Sequence, residues 1–300
     1  MATTPSGRAL PGWFTLATQI AAPVTLVTAL LFYFGYVFTR SQYAYFGVDV
    51  DTIGLTPRDY VMRSPQPLLV PLLVLTVVSV AVVALHGRID ARAREARSVG
   101  GGEARVRRAA RVWVAGGCVV LGAGLVLLVA YAWWGAWPYL SLVSAVLIGV
   151  GAAVGALTLG YATTRAPGIV AGLWVLVVAA AFWAVSITAD WSGRGQAQLT
   201  ARNLDQLPAV ILDSPGDLHL RNTVAAPEDL CWTTGDAPDP ACAALTDQPR
   251  YRYRGLHLLV QGPTAMFLVP SAWSASATTL MVPRTADVRL QFQFVNVPPG

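Results

Sequence analysis

The stretch that decides the fold runs from Val112 to Ala189 and reads VWVAGGCVVLGAGLVLLVAYAWWGAWPYLSLVSAVLIGVGAAVGALTLGYATTRAPGIVAGLWVLVVAAAFWAVSITA. Its single charged side chain is Arg165. An α-helix needs about 20 apolar residues to cross a hydrocarbon core of about 30 Å. The stretch holds three such lengths, at residues 112–134, 139–161 and 168–189, separated by short turns. It therefore predicts three consecutive membrane-spanning helices.

Two more apolar stretches lie upstream, at residues 13–38 and 68–86. The composition agrees with a membrane protein: apolar residues make up 55% of the chain and charged residues only 12%, about half of the charged fraction usual in soluble domains. We therefore expect an α-helical transmembrane bundle of five helices over residues 13–189. A short polar N-terminus, residues 1–12, precedes it.

The Arg residues predict the orientation of this bundle, because cytoplasmic loops of membrane proteins carry an excess of basic residues. The loop at residues 87–111 holds eight Arg and three acidic residues, for a net charge of +5. The eight are Arg88, Arg92, Arg94, Arg97, Arg105, Arg107, Arg108 and Arg111. We expect this basic loop to face the cytoplasm, where its charge fixes the topology. An alternative function of the loop is to recruit anionic lipid head groups. Alternation then places the N-terminus inside and residues 190–300 outside the plasma membrane.

The net charge of +5 for the whole chain comes largely from this one loop. A nucleic-acid-binding protein would instead carry its basic residues over an exposed face. The partners that we expect are the lipid bilayer and an envelope or membrane protein, with no nucleic acid.

Residues 190–300 change from helical to alternating patterning and contain eighteen charged side chains. Alternation of apolar and polar residues between turn signals is typical of β-strands. The expected strands are 208–213, 217–221, 251–261, 264–269, 278–282 and 287–295. They predict a small all-β domain, either an antiparallel sheet or a partial barrel.

Cys231 and Cys242 both lie in the segment expected outside the membrane. Paired cysteines in an exported, turn-rich loop favour a disulfide. Closing a loop of this size stabilises a fold by roughly 2–3 kcal/mol. A metal site is the alternative, but no cluster of His accompanies the two thiols.

The loop at residues 39–66 shows two local signals. Thr56-Pro57-Arg58-Asp59 is typical of a helix start, which predicts a short helix to about Arg63. Before it, Tyr43, Tyr45 and Phe46 form an aromatic patch that we expect at the membrane surface.

The spans themselves offer little chemistry, since none has an acidic or basic side chain in its interior. Ion and proton pathways are usually marked by such residues. Gly151 and Gly155 form a small-xxx-small pair that allows close helix approach. Packing within the chain is the favoured interpretation, and dimerisation is the alternative.

Outside the spans, the candidate reactive groups are few. Asp49 and Asp51 could contribute to a divalent cation site, but no third ligand is evident, and a solvated turn is the simpler interpretation. His219 and His257 lie in predicted strands, and Ser214 lies beside Asp213 and Asp217 without a nucleophile-elbow pattern. We therefore predict no catalytic residue, no metal and no cofactor.

Two stretches resemble a known group. Tyr33–Asp49, continuing through Leu55–Ser64, is similar to the N-terminal region of uncharacterised multi-pass membrane proteins of actinobacteria, and Tyr251–Gln293 is similar to their C-terminal strand region. The resemblance implies a bacterial cytoplasmic membrane and an extracytoplasmic β-rich domain. It implies nothing about catalysis.

These features favour a membrane-anchored binding or sensing module that displays a β domain outside the membrane. A transporter or transporter accessory subunit is the first alternative, and it would require a partner because no inverted repeat is visible. A membrane-bound enzyme that uses Asp49, Asp51 or His257 is the second.

Overall fold

The computed structural model of the protein describes residues 12–98, 102–134, 137–162, 167–218, 220, 227–229, 251–274, 276–284 and 288–293. The helices in this part of the chain are α1 (Gly12–Ala44), α2 (Val50–Ile53), α3 (Pro57–Arg63), α4 (Pro65–Ser98), α5 (Gly102–Trp134), α6 (Leu140–Ala162) and α7 (Pro167–Arg202). Five of them, α1 and α4 to α7, are long and apolar enough to cross a membrane. Each predicted span coincides with one of these five, so the prediction of five such helices is confirmed.

Four of the long helices continue beyond the apolar stretches that predict them. Helix α1 extends through the polar residues Thr39–Gln42, and α7 extends from Asp190 to Arg202. Helix α4 reaches Ser98 and α5 begins at Gly102, so the basic loop is itself mostly helical. Hydropathy marks where a helix meets lipid, whereas the backbone hydrogen bonds continue until a cap or a break ends them.

The strands are β1 (Ala209–Ser214), β2 (Pro227–Asp229), β3 (Tyr251–Gln261), β4 (Ala265–Pro270), β5 (Leu280–Pro283) and β6 (Arg289–Gln293). All of their pairings are antiparallel, in the order β5-β4-β3-β1-β6, with β2 also pairing with β3. Among the strands that the structure describes, β5 and β6 end the path without pairing to each other. The predicted antiparallel sheet is confirmed, and it is open rather than a partial barrel.

Two details of the strand prediction are wrong. Asp217 and Leu218 form no strand, because the backbone N–H of Leu218 donates to the Tyr253 hydroxyl at 2.7 Å rather than to a neighbouring strand. The strand at Pro227–Asp229 was not expected, since a proline and two acids lack the alternating apolar pattern.

Strand β3 contains two bulges, and they determine which face of the sheet its side chains occupy. Gly255 adopts a positive φ of 78°, where the pairing with β1 shifts register. A second shift lies between Leu258 and Val260. Because a bulge changes the alternation of side chains, Leu258 packs at one face of the sheet and Val260 at the other.

The chain divides into two compact units that differ from the predicted division at residue 189. The first unit joins Met1–Ser64 to Trp191–Gly300, and the second unit is Pro65–Asp190. The segment expected as a separate exported domain, residues 190–300, thus shares a unit with α1, α2 and α3. This grouping positions the candidate site.

Candidate functional site

The largest shared core of the first unit joins parts of the chain that are some 200 residues apart. We call it the junction core. Its buried members are Tyr43, Phe46, Val48, Val50, Ile53, Tyr60, Ala197, Leu204, Val260, Ala265, Phe267 and Val269. They come from α1, the following turn, α2, α3, α7, the turn after α7, and strands β3 and β4. Burying this many large apolar side chains contributes roughly 1.5–3 kcal/mol each before the entropy of ordering is subtracted.

Local hydrogen bonds shape the segment that enters this core. The N–H groups of Phe46 and Val48 donate to the Tyr43 carbonyl at 2.9 and 3.1 Å, which turns the chain at the end of α1. Gly47 supplies the positive φ of 73° that this turn needs. The carboxylate of Asp49 then accepts from Asp51 N at 3.2 Å and caps α2.

The end of α2, at Ile53 and Gly54, packs closely against the β3–β4 turn at Gly262 and Pro263. A Cβ added to Gly54 would lie 3.2 Å from the Pro263 ring, and one added to Gly262 would collide with the Ile53 carbonyl oxygen. The Thr279 hydroxyl also donates to the Phe46 carbonyl at 2.6 Å. The segment from α1 to α3 is therefore fixed to the sheet by backbone contacts as well as by apolar packing.

Helices α1, α3 and α7 also approach closely within the first unit. A Cβ on Gly35 would collide with the Tyr60 carbonyl, and one on Gly193 would collide with the Phe38 carbonyl. Thr39 is fully buried and donates its hydroxyl to the Gly35 carbonyl at 2.7 Å. The ends of α1 and α7 are thus packed backbone to backbone, as small residues permit.

An aromatic cluster with two charged neighbours borders the junction core. Arg63 donates from Nη1 to the Tyr43 hydroxyl at 2.8 Å and lies 5.5 Å from the centre of that ring. The rings of Tyr36 and Tyr60 meet edge to face at 5.5 Å. Burial raises the pKa of Tyr60 above its ordinary value of 10.0, and the nearby Asp51 carboxylate adds to the effect.

The predicted start of α3 is confirmed. Asp59 accepts from the Thr56 hydroxyl at 2.7 Å and from Thr56 N at 2.8 Å. These two hydrogen bonds, the side-chain one first, hold the pKa of Asp59 below its ordinary value of 3.8. The signature Thr-Pro-Arg-Asp therefore fixes where α3 begins.

A second core lies on the other face of the sheet. Its buried members are Val210, Leu212, Tyr253, Leu256, Leu268 and Val282. The Tyr253 hydroxyl donates to Asp217 at 2.7 Å, and burial followed by this hydrogen bond raises the pKa of Tyr253 to about 12. The Tyr253 hydroxyl therefore links the chain after β1 to strand β3 at the centre of the sheet.

Asp213 is the most deeply buried acid of the described chain, with 1% of its surface exposed. Arg252 on β3 binds it through two hydrogen bonds of 2.8 and 3.0 Å, and Gln291 on β6 donates a third at 2.9 Å. This arrangement links β1 to both of its neighbours. It compensates the burial of the carboxylate.

The candidate reactive groups serve structural roles. Asp49 caps α2, and Asp51 lies 3.4 Å from the Tyr36 hydroxyl. His257 lies 3.1 Å from the Leu207 carbonyl through Nδ1, and Ser214 is buried at the end of β1. Within the described ranges no three His, Cys, Asp or Glu side chains come together as a metal site.

The remaining predicted site residues are the two cysteines, His219 and the Arg residues of the basic loop. Cys231, Cys242 and His219 lie outside the described residues, so the disulfide stays a prediction. The eight Arg of the basic loop lie on α4 and α5, and the side chains described among them, Arg88, Arg108 and Arg111, are exposed.

In the second unit, Gly151 of α6 faces α5 so closely that a Cβ would lie 2.5 Å from Leu121 N. At Gly155 the nearest atom would be Leu173 Cδ1 of α7 at 3.4 Å, which is ordinary contact. Both glycines therefore face helices of the same chain.

The expected aromatic patch at the membrane surface is wrong for Tyr43 and Phe46, because both are buried in the junction core, and only Tyr45 is exposed. Ile53 and Trp273 were not expected in a core. Trp273 packs against the junction core and meets the Phe46 ring at 4.9 Å. One signal could have indicated this burial. The loop between the first two spans contains Val48, Val50 and Ile53, which is more apolar than a solvent-exposed loop usually is.

The comparisons with known proteins add no identification. No protein-family model, no curated protein and no solved structure matches this chain. The resemblance to actinobacterial membrane proteins therefore stays a prediction.

Proposed function

We propose that this protein is a membrane-anchored binding and sensing module. Helices α1 and α4 to α7 cross the plasma membrane, and the first unit carries the sheet on the extracytoplasmic side. An envelope component or a membrane protein binds the sheet, and the junction core passes the effect of binding to α1 and α7. The five apolar helices and the charge of the basic loop support this placement.

The junction core is the observation that carries the proposal. A sheet that served only as a tethered domain would be joined to its helix by a linker with few contacts. Here Val260, Phe267 and Val269 of the sheet share one core with Tyr43 of α1 and Ala197 of α7. Close-packed cores transmit strain rather than absorb it. A displacement of β3 or β4 is therefore expected to displace the ends of α1 and α7.

The engagement of the reactive groups favours binding over catalysis. Asp49, Asp51 and His257 each contact a neighbour that positions a turn, a tyrosine or a strand. These contacts give each of the three residues a structural role, which favours binding by the sheet over catalysis at these residues.

A reporter-fusion map tests the placement. Fusions at Gly101, Trp137 and Gly300 should report inside, outside and outside respectively. A cytoplasmic signal from Gly300 would contradict both the extracytoplasmic sheet and the disulfide between Cys231 and Cys242.

Hydrogen exchange on the full chain in lipid nanodiscs tests the coupling. The variant Phe267→Ala removes a buried side chain of the junction core, and we expect faster exchange in residues 37–44 of α1 and 193–202 of α7. Met281→Ala, at a side chain that is 54% exposed on β5, is the matched control. Changes confined to β3, β4 and β5 would show that the sheet is independent of the helices.

The binding part of the proposal is tested with isolated cell-wall polymer and with a solubilised envelope-protein fraction. Either should slow exchange in the sheet and, through the junction core, at the ends of α1 and α7. Exchange that neither fraction alters would overturn the assignment as a binding module.

A further inference from the structure

An open groove of about 300 Å³ lies where α1 ends and α2 begins. It is lined by Arg40 and Ala44 of α1, Gly47 and Val48 of the turn, and Asp49 and Val50 at the start of α2. The groove thus combines one cationic and one anionic side chain with a small apolar floor. All of its residues belong to the first unit.

The position of the groove along α1 corresponds to the depth of lipid head groups. Arg40 is the first charged residue after the apolar stretch at residues 13–38, and α1 ends four residues later at Ala44. An Arg at the end of a span extends its guanidinium to the interface. Tyr45 is 39% exposed next to the groove and lies 6.5 Å from the Trp273 ring, as expected for aromatic residues at a membrane surface.

The two charged side chains are available to a ligand. Arg40 is exposed and forms no ion pair or hydrogen bond with another residue in the described part of the chain. Asp49 accepts the capping hydrogen bond of α2 through Oδ1, and Asp49 is one of the residues that line the groove. No atom lies within 4 Å of a Cβ built on Gly47, so the groove is open at this residue.

We propose that this groove binds the head group of a phosphatidylethanolamine lipid. The phosphate pairs with the guanidinium of Arg40, which suits its planar set of donors. The primary ammonium donates to the carboxylate of Asp49. A choline head group carries the same charges but has no N–H to donate, and a glycerol head group has no cation. The inference requires that α1 spans a membrane, and it is independent of what the sheet binds.

The test measures which lipids stay bound to the full-length protein extracted from vesicles that contain equal parts of phosphatidylethanolamine, phosphatidylcholine and phosphatidylglycerol with identical acyl chains. Native mass spectrometry counts each retained lipid. We expect the ethanolamine lipid to be retained over the choline lipid by on the order of tenfold, the effect of one charge-assisted hydrogen bond.

Two variants separate the two contacts. Asp49→Asn keeps the cap, because Asn accepts the same backbone hydrogen bond, but it should make retention of the ethanolamine and choline lipids equal. Arg40→Gln should lower retention of both. Arg58→Gln and Asp205→Asn change exposed charges of the same unit outside the groove and should leave the lipid ratio unchanged.

Three outcomes would overturn the proposal. One is equal retention of ethanolamine and choline lipids by the wild type. Another is a preference for the glycerol lipid that Asp49→Asn does not alter, because the groove would then recognise a phosphate through Arg40 alone. The third is a lipid ratio that changes as much in the two control variants as in Asp49→Asn. A thermal midpoint equal to wild type confirms that each variant is folded.

Discussion

Large side chains are placed in opposite ways in two regions of this chain, the sheet with its junction core and the helices of the second unit. In the first unit Tyr253, Phe46, Ile53 and Leu212 are almost completely buried. In the second unit the large apolar side chains point outward, as at Val83 and Val119, each 71% exposed, and the buried positions are mostly small.

Small residues dominate the contacts inside the second unit. Among its buried positions are Ala145, Ala152, Ala156, Ala180 and Ala189. Water drives large apolar groups into a core, whereas lipid solvates them and leaves close backbone contact to hold helices together. The sheet with its junction core therefore follows the packing rule of water-soluble proteins, and the second unit follows that of helices in lipid.

The largest effect should come from truncating a core side chain of the first unit. Phe46 is 2% exposed and contacts Trp273, so Phe46→Ala should lower the free energy of unfolding by roughly 3–5 kcal/mol. Thermal unfolding followed by Trp fluorescence measures it, in detergent and again in nanodiscs. The loss should be equal in both, because the Phe46 side chain is buried among protein side chains.

Met62→Ala is the control for that experiment. Met62 is 71% exposed on α3, and its truncation should change the free energy of unfolding by less than about 0.5 kcal/mol. The contrast between the two regions is wrong if both variants lower the free energy of unfolding equally. It is also wrong if the loss in Phe46→Ala differs between detergent and nanodiscs.

A smaller effect is expected from adding a methyl group in the second unit. Gly151→Ala would place a carbon 2.5 Å from Leu121 N and 2.7 Å from Leu121 Cβ, so α5 and α6 must separate. Overpacking of this kind costs roughly 1–3 kcal/mol. Gly155→Ala is the matched control, because its new contact with Leu173 is at an ordinary distance. The measurement is the rate at which Cys118 on α5 reacts with a thiol reagent in nanodiscs.

The outcome also separates packing within the chain from dimerisation. If Gly151→Ala leaves that rate and the thermal midpoint unchanged but abolishes a dimer in crosslinking, the glycines serve contact between copies instead.

The smallest effect concerns the start of α3. The pKa of Asp59 is lower in the folded protein than its ordinary value of 3.8, so the ionised carboxylate stabilises the fold above that value. This contribution is lost as the pH falls through the lowered folded pKa. Asp59→Ala should therefore destabilise α3 by about 1 kcal/mol at pH 7, the usual scale of a helix cap, and by much less at pH 2.

Hydrogen exchange of the amides of Tyr60 to Arg63 measures that difference at the two pH values. A loss of protection in Asp59→Ala that is equal at pH 7 and pH 2 would show that the charge of Asp59 plays no part.

Features that depend on neighbouring residues were predictable from the sequence. The apolar stretches identify the five long helices, Thr56 and Asp59 identify the start of α3, and the bounds of β3 agree with the predicted 251–261. Each of these follows from periodicity, capping or turn chemistry over a few residues.

The junction core was not predictable in this way. Phe46 was expected at the membrane surface and Ile53 in a short loop, because the strands that pack against them begin some 200 residues later. The bulges of β3 are equally hidden: the shift at Leu258 exchanges the faces of the sheet without a proline or glycine at that point to mark it. Contacts between distant segments leave no local pattern from which to infer them.

The hydrogen bond from Thr279 to the Phe46 carbonyl spans 233 positions of sequence, and this has a consequence for biosynthesis. A ribosome adds about 5–20 residues per second, so Val260 follows Ile53 after roughly 10–40 s. During that interval Phe46, Val50 and Ile53 have been made but their partners have not. The four long helices α4 to α7 are synthesised in the same interval. The apolar side chains of Phe46, Val50 and Ile53 therefore stay uncovered by the sheet until its strands have been made.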